Sequence, residues 1–309
     1  MTNDAPKMKQ FETLLQMMQA FPDEQAAIDH FSAIRWRNGA FCPHCGSLKV
    51  YHFSDQRTHK CGDCRKRFSI KVGTIFEDSK IPLRTWMLAV WLVTSHKKGI
   101  ASTTLAKDLG VTQKTAWFIL HRLRYAARTQ SFNRPLEGEV EVDETYVGGK
   151  AANRHKGDPK NGPGTSGKTA VVGAIQRGGK AVATVVRRTN TRTLDTFVHE
   201  FVAPTATLVS TDEHSGYRNL GRTFNHGVVR HSAGEYRLGD VHTNSIEGFW
   251  ALLKRQIIGI HHFVTPKLLN RYVTEVTWRF NLRDIGEGDR VNTLLDQASG
   301  RLTYKELIA

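Results

Sequence analysis

The sequence predicts a mixed α/β protein: a sheet covered by helices in the second half, preceded by a small zinc ribbon and a helix-turn-helix module. Three observations predict it. Four cysteines fall as two Cys-x2-Cys pairs near the N-terminus. Next come apolar residues at helical spacing on either side of a turn glycine. Beyond residue 135, short alternating strands give way to amphipathic helices, with carboxylates at particular strand ends. The 309 residues allow two or three modules. The boundaries expected are a helical segment over 1–38, the ribbon over 39–75, the helix-turn-helix over 80–130, the α/β domain over 135–285 and a C-terminal tail over 286–309.

Charge narrows the partner. Lys and Arg number 44 against 29 Asp and Glu, a formal +15, and the pI is near 9.8. Each Lys or Arg placed on a phosphate releases counterions, so the excess favours DNA or RNA; a basic protein without such a partner is the competing reading. The longest apolar run, Trp86 to Val93, is far short of the roughly 20 residues that span a bilayer. The start "MTNDAPKMKQ" lacks the build of a secretory signal, so a cytoplasmic, nucleoid-associated protein is expected. Within this basic chain, Glu137, Glu139, Glu141, Asp143 and Glu144 crowd into eight residues. Such self-repulsion calls for exposure to water or a bound cation.

The ribbon rests on Cys42, Cys45, Cys61 and Cys64, with fifteen residues between the pairs. That spacing brings four thiolates around one tetrahedral zinc, and so small a module depends on its metal to fold. Lys60, Arg65, Lys66 and Arg67 surround it. His44 and His59 are expected at the surface, since four thiolates already fill the shell.

From Ile81, Leu83, Trp86, Met87, Val90 and Val93 share one helical face. Leu105 and Ala106 close a short helix, Gly110 supplies a turn, and Thr112 caps a second helix whose Ala116, Ile119, Leu120 and Leu123 face inward. Gln113, Lys114, Thr115 and Trp117 then lie at the end where base contacts are made, and Arg122, Arg124 and Arg128 extend the basic surface. An ordinary helical hairpin with a charged face is the bland alternative.

In the α/β domain, "GEVEVDETYVGG" reads as a strand. Thr169–Gln176 and Lys180–Arg187 form a hairpin, "TRTLDTFVHEFV" a helix, and "ATLVSTD" a strand ending at Asp212. Another strand lies near "HGVVRH", and Ser245–Ile258 is helical. The order expected is β-β-β-α-β-α-β-α. "GPGTSGKT", residues 162–169, has the spacing of a nucleotide-binding loop, but such a loop must follow a strand and open a helix. Here it precedes a β-rich run, so no nucleotide cofactor is expected. With Lys150, Arg154, His155, Lys156, Lys160 and Lys168, the tract is either a phosphate-contacting loop near Asp143 or a solvated one.

On the last of these helices, Ile246, Phe249, Trp250, Leu253 and Ile257 form the apolar stripe. Glu247 and Lys254, seven residues apart, share another face. Glu247 also has a structural explanation, because Asn244 as N-cap with Glu247 three residues on completes a capping box. Asp143 has the alternative of a solvated strand position, and Asp212 that of a helix cap. Taken together beside a DNA-binding front end, Asp143, Asp212 and Glu247 can hold two divalent cations about 4 Å apart. All-oxygen ligands suit Mg2+ or Mn2+.

At this point the chain resembles the transposases of the IS1595 insertion-sequence family, with their ISXO2-like catalytic domain. The likeness is carried by "FPDEQAAIDHFSAIRWRNGAFCPHCGS", "VEVDETYVGGK", "STDEHSGY", "HTNSIEGFWALLKR" and "RFNLR". The resemblance implies an RNase H-like fold, an acidic triad at Asp143, Asp212 and Glu247, and a DNA-contacting base at Lys254. It implies a DNA transposase that cleaves at the ends of an insertion sequence and joins the 3′ ends to target DNA. Gln113, Lys114 and Arg122 of the helix-turn-helix reading and Lys168 of the glycine-rich tract are then the expected DNA contacts. Asn244 or His242 can share the role of Glu247, whereas Glu144, on the opposite face of its strand, is a poor substitute. Double-stranded DNA and a homodimer or larger synaptic assembly are the partners such a mechanism needs. The competing class is a non-catalytic DNA-binding regulator that kept the ribbon and the helix-turn-helix.

Overall fold

The computed structural model describes residues 9–128, 135–149 and 164–308. Lys150, Arg154, His155, Lys156 and Lys160 lie outside the described residues. The chain divides into two compact units, one made of Met1–Ala127 with Asp284–Ala309, the other of Arg128–Arg283.

The first unit begins with helices α1 (Leu14–Ala20) and α2 (Glu24–Arg35). Thr13 and Gln16 form a capping box on α1, and Asp23 caps α2 through the Ala26 amide. Three short antiparallel strands follow, β1 (Val50–His52), β2 (Thr58–Cys61) and β3 (Arg67–Ser69), in the order β1-β2-β3. His59 is buried, contrary to its expected surface position. Its ring sits 4.8 Å from that of Trp36 and its Nδ1 3.0 Å from Nδ1 of His52, and burial lowers its pKa.

Helices α3 (Leu83–Ser95), α4 (Ser102–Leu109) and α5 (Gln113–Ala126) complete the helical module. The inward faces are those the spacing requires: Leu83, Trp86, Met87, Val90 and Val93 on α3, and Ala116, Ile119, Leu120 and Leu123 on α5, are all buried. Gly110 ends α4 at φ 64°, the left-handed conformation that costs glycine least, and Thr112 caps α5 through the Thr115 amide.

The second unit is built on a five-stranded mixed sheet, β4 (Glu139–Val147), β5 (Thr169–Gln176), β6 (Ala181–Val186), β7 (Leu208–Thr211) and β8 (His226–Val228). The order across it is β6-β5-β4-β7-β8, antiparallel for the first three strands in sequence and parallel for β4, β7 and β8. This is the RNase H-like arrangement. Helix α6 (Thr191–Phe201) covers one face, where Val140, Val142, Val172 and Ala174 meet Leu194, Phe197 and Val198. Helices α7 (Asn244–Gln256) and α8 (Pro266–Asn281) cover the other, where Val171 and Ile175 meet Ile246, Phe249, Trp250 and Val273. Between β7 and β8 the expected helix is absent; two single-turn 3-10 segments, Ser215–Tyr217 and Leu220–Arg222, take its place. Glycines at 216 and 221 leave that stretch little helical propensity.

The final stretch, expected as a tail, holds α9 (Glu287–Asp296) and α10 (Tyr304–Ile308) and belongs to the first unit. Asn292 of α9 hydrogen-bonds His30 of α2 at 2.8 Å, and Ala298 and Gly300 exchange backbone hydrogen bonds with Ile75 and Gly73.

Candidate active site and zinc centre

Two of the three expected carboxylates come together because of strand register. Parallel pairing matches Glu139 with Leu208, Val140 with Val209 and Glu141 with Ser210. Carried two residues further, the same register sets Asp143 level with Asp212, at the point where β4 and β7 stop pairing. Oxygens of Asp143, Asp212 and Glu144 lie within 4.8 Å of one another. Asp212 is steadied by the His214 amide at 3.0 Å.

Glu144 lies within this group although its strand position faces it away from Asp143. It does point to the opposite face, where Tyr217 Oη donates to it at 2.7 Å and His214 Nε2 stands 3.5 Å away. Yet the strands separate beyond Glu141, and a carboxylate on a long side chain reaches the gap from either side. Glu247 stands apart from this group. It is exposed on the first turn of α7, accepts from Thr243 Oγ1 at 3.1 Å and lies 3.7 Å from His231 Nε2. Lys254 is exposed two turns further along α7.

Burial and mutual repulsion act on the cluster. Desolvation, then the charges of Asp212 and Glu144, push the Asp143 carboxyl up to about 7. Desolvation and Asp212 do the same to Glu144 against the opposing hydrogen bond from Tyr217. Groups so placed hold their protons up to the neutral range, where a cation would displace them.

Asp143 has one oriented oxygen. Trp250 Nε1 donates to its Oδ2 at 3.0 Å. The indole reaches across β5 at Gly173, the residue paired with Asp143. A Cβ there would fall 2.6 Å from Trp250 Cη2, so only glycine lets the ring lie in this position.

The N-terminus of α7 is capped differently from the expected capping box. Asn244 is the first helical residue rather than the cap, and Thr243 makes no side-chain cap. Instead Glu141, fully buried on β4, accepts from the Ser245 and Ile246 amides at 2.7 and 3.0 Å and from Ser245 Oγ at 3.0 Å. Arg177 Nε donates to it at 2.8 Å and His242 Nδ1 stands 3.1 Å away. The acidic run is therefore relieved without exposure of Glu141: Arg177 bridges Glu139 and Glu141, and the positive end of α7 meets the buried charge.

In the ribbon, Cys42 and Cys64 Sγ are 3.7 Å apart, and Cys45 and Cys61 Sγ 3.6 Å. Tetrahedral zinc with bonds of about 2.3 Å requires edges of about 3.8 Å. Amides of His44 and Cys64 point at the sulfurs of Cys42 and Cys61 at 3.4 and 3.3 Å, as thiolate ligands demand. The donor set fits Zn2+.

Two expected DNA contacts turn inward. Arg122 is half-buried and donates to the carbonyls of Ile75 and Glu77, and Arg124 is buried beside His121. Both fall on the side of α5 that packs rather than the side that faces water. Gln113 and Lys114 are exposed, with Gln113 donating to Ser102 Oγ at 2.8 Å. Lys168 is exposed beside Gly148, and Thr169 opens a strand, so the glycine-rich motif lacks the helix a nucleotide loop needs.

The geometry defines an RNase H-like core with a carboxylate cluster, coupled in sequence to a four-cysteine ribbon. Residues 135–281 match the ISXO2-like transposase domain, and residues 22–67 the transposase zinc-ribbon domain. The chain belongs to the IS1595 family of transposases that these two domains define. It is 28% identical over 296 residues to an uncharacterized protein in transposable element ISH50 of Halobacterium salinarum, covering 91% of this chain and 99% of that one. A chain from a pre-cleavage Mos1 transpososome aligns at 15% identity over 57% of this chain and 73% of its own, with a TM-score of 0.17. A superposition that loose carries no structural argument.

Proposed function

We propose that the protein binds the ends of an insertion sequence, cleaves a phosphodiester at each, and joins the freed 3′ ends to target DNA. The observation that carries this reading is the meeting of Asp143, midway along β4, with Asp212, just past the end of β7, and with Glu144 inside the same 4.8 Å group. Oxygen donors at that spacing suit Mg2+ or Mn2+, held by Asp143 and Asp212 with Glu144 or Glu247 as the third carboxylate. Held by these carboxylates, a pair of cations would supply activation of the attacking oxygen and neutralisation of the leaving one. Trp250 keeps one Asp143 oxygen occupied and leaves the other for the metal. Lys254 extends from the same face of α7 as Glu247, where it meets the phosphate of a DNA end. Transesterification conserves bond number, so ATP is not required.

The ribbon, with Gln113 and Lys114 at the start of α5, supplies end recognition, and Lys168 a phosphate contact near the sheet. Bringing two ends together calls for a dimer or larger assembly. Asp143→Asn should abolish Mn2+-dependent nicking and strand transfer while leaving binding to DNA ends intact. Strand transfer persisting in that variant would sink the proposed site. Wild-type binding without any metal-dependent nicking would favour the regulator instead.

A further inference from the structure

The helix that carries Glu247 and Lys254 does not end in an ordinary cap. After Gln256 it widens into one π turn, Ile257–His261, and the chain leaves through His262 at φ 60° and ψ −45°. A non-glycine residue in that region is strained, and π turns and strained residues both concentrate where a side chain must be aimed. The side chains aimed here are Ile258 and Phe263, 69% and 68% exposed, while their neighbours Ile257 and Val264 pack into the core beneath α7 and α8.

The tip is anchored from below. His261 Nε2 lies 3.3 Å from Gln256 Nε2, and its ring packs edge-on to Tyr272 at 4.7 Å. The Gln256 carbonyl in turn accepts from Arg279, which pairs with Glu275, all three buried. His262 Nδ1 closes the turn against the Ile258 carbonyl at 3.1 Å. A buried polar network of this kind holds a turn in one conformation, so two large apolar groups are presented to water in fixed positions.

The chain on either side of them is cationic. Lys254 and Arg255, four and three residues before Ile258, and Lys267, four residues after Phe263, are exposed, and no Asp or Glu occurs between residues 248 and 274. Among the described residues none of these three cations is held by a carboxylate. Cations around an apolar pair match a ligand with phosphates outside and flat apolar surface within. An intact duplex hides that surface in its stack, whereas an opened strand offers it.

We infer that Ile258 and Phe263 form a wedge that receives unstacked bases of a DNA strand, with Lys254, Arg255 and Lys267 on its phosphates. The inference rests on the DNA-end reading above and adds that the ends are engaged in an opened form. Lys254 sits one turn before Ile258 on α7, so a strand held at the wedge continues toward Glu247.

The test uses the full chain and two probes: a blunt duplex, and the same duplex with a short unpaired tail carrying 2-aminopurine. Wild type should bind the tailed probe more tightly and change its 2-aminopurine fluorescence. Phe263→Ala should lose about tenfold on the tailed probe and leave blunt binding and thermal melting unchanged, while Phe263→Tyr keeps the preference. Lys267→Ala should instead weaken both probes and flatten the salt dependence by about one unit of log–log slope. Equal affinity of Phe263→Ala and wild type for the tailed probe overturns the inference alone. So does a change confined to oligomeric mass, which would mark the tip as a contact between copies. Failure of wild type to bind either probe overturns the DNA-end reading as well.

Discussion

Asp143 concentrates what single residues contribute. Its carboxyl, held near 7 by burial and by Asp212 and Glu144, takes up a proton in the folded state that the unfolded chain releases at lower pH. Between about pH 4 and 7 the folded protein binds more protons, so in the absence of divalent metal its stability should fall as pH rises through about 7. Glu144 titrates in the same window, and the two behave as one coupled set. Solvent screening reduces the effect to on the order of 2 kcal/mol. Thermal melts from pH 5 to pH 8 should show this decline, Mn2+ should reverse it at the upper end, and Asp143→Asn should flatten it. A metal-free protein whose melting temperature rises over that range contradicts the assignment.

Single residues were also where pattern reading reached its limit. Alternation places Asp143 on a strand, and the turn that follows β7 marks Asp212. A face rule sets Glu144 apart from Asp143, and that rule holds within a paired strand but does not limit the reach of a side chain where pairing stops. Helical spacing puts Trp250 on the apolar stripe, where it is buried, but the donor at its rim only acquires a partner through Gly173. That requires knowing which strand lies under α7.

At the level of elements, α7 shows how local signals can be outweighed. Asn244 and Glu247 have the spacing of a capping box, yet a buried carboxylate more than a hundred residues away takes the helix amides. Four hydrogen bonds converge on Glu141 from Ser245, Ile246 and Arg177, which no local rule could outcompete. Glu141→Gln should destabilise the second unit by about 3 kcal/mol, because the α7 amides lose the buried charge that caps them and Arg177 keeps only the more exposed Glu139 as its partner. The double change Glu141→Leu with Arg177→Met should cost less than the single one. Urea denaturation measures both; a single-variant cost below about 0.5 kcal/mol would mean that the cap contributes nothing. The same packing logic explains Arg122 and Arg124: helical spacing identified the buried stripe of α5, but stems flanking that stripe went to backbone carbonyls and to the interior rather than to water.

For the whole molecule, the succession of strands along the chain, the four-cysteine cluster and the helical pair are readable, since each depends on periodicity or fixed spacing, whereas the order of the strands across the sheet is not. The placement of residues 284–308 was not, because α9 and α10 are short and their partners lie near the beginning of the chain. Each unit has its own core, so zinc removal should act on one of them. Chelation, or Cys45→Ser with Cys64→Ser, should release one zinc per chain and expose the ribbon to proteolysis. The sheet of the second unit should keep its protease resistance. Cleavage spreading evenly into residues 135–283 would refute that independence.

The chain path has a consequence for synthesis. In sequence the second unit is inserted between two parts of the first unit, and α9 is needed beside α2 and α3 to complete the first. The ribosome therefore makes the whole nuclease-like sheet before the first unit has its last helices. A product terminated before residue 284 carries the carboxylates but lacks Asn292 for His30 and the backbone partners of Ile75 and Gly73. Assembly of the first unit thus reports that translation has passed the second.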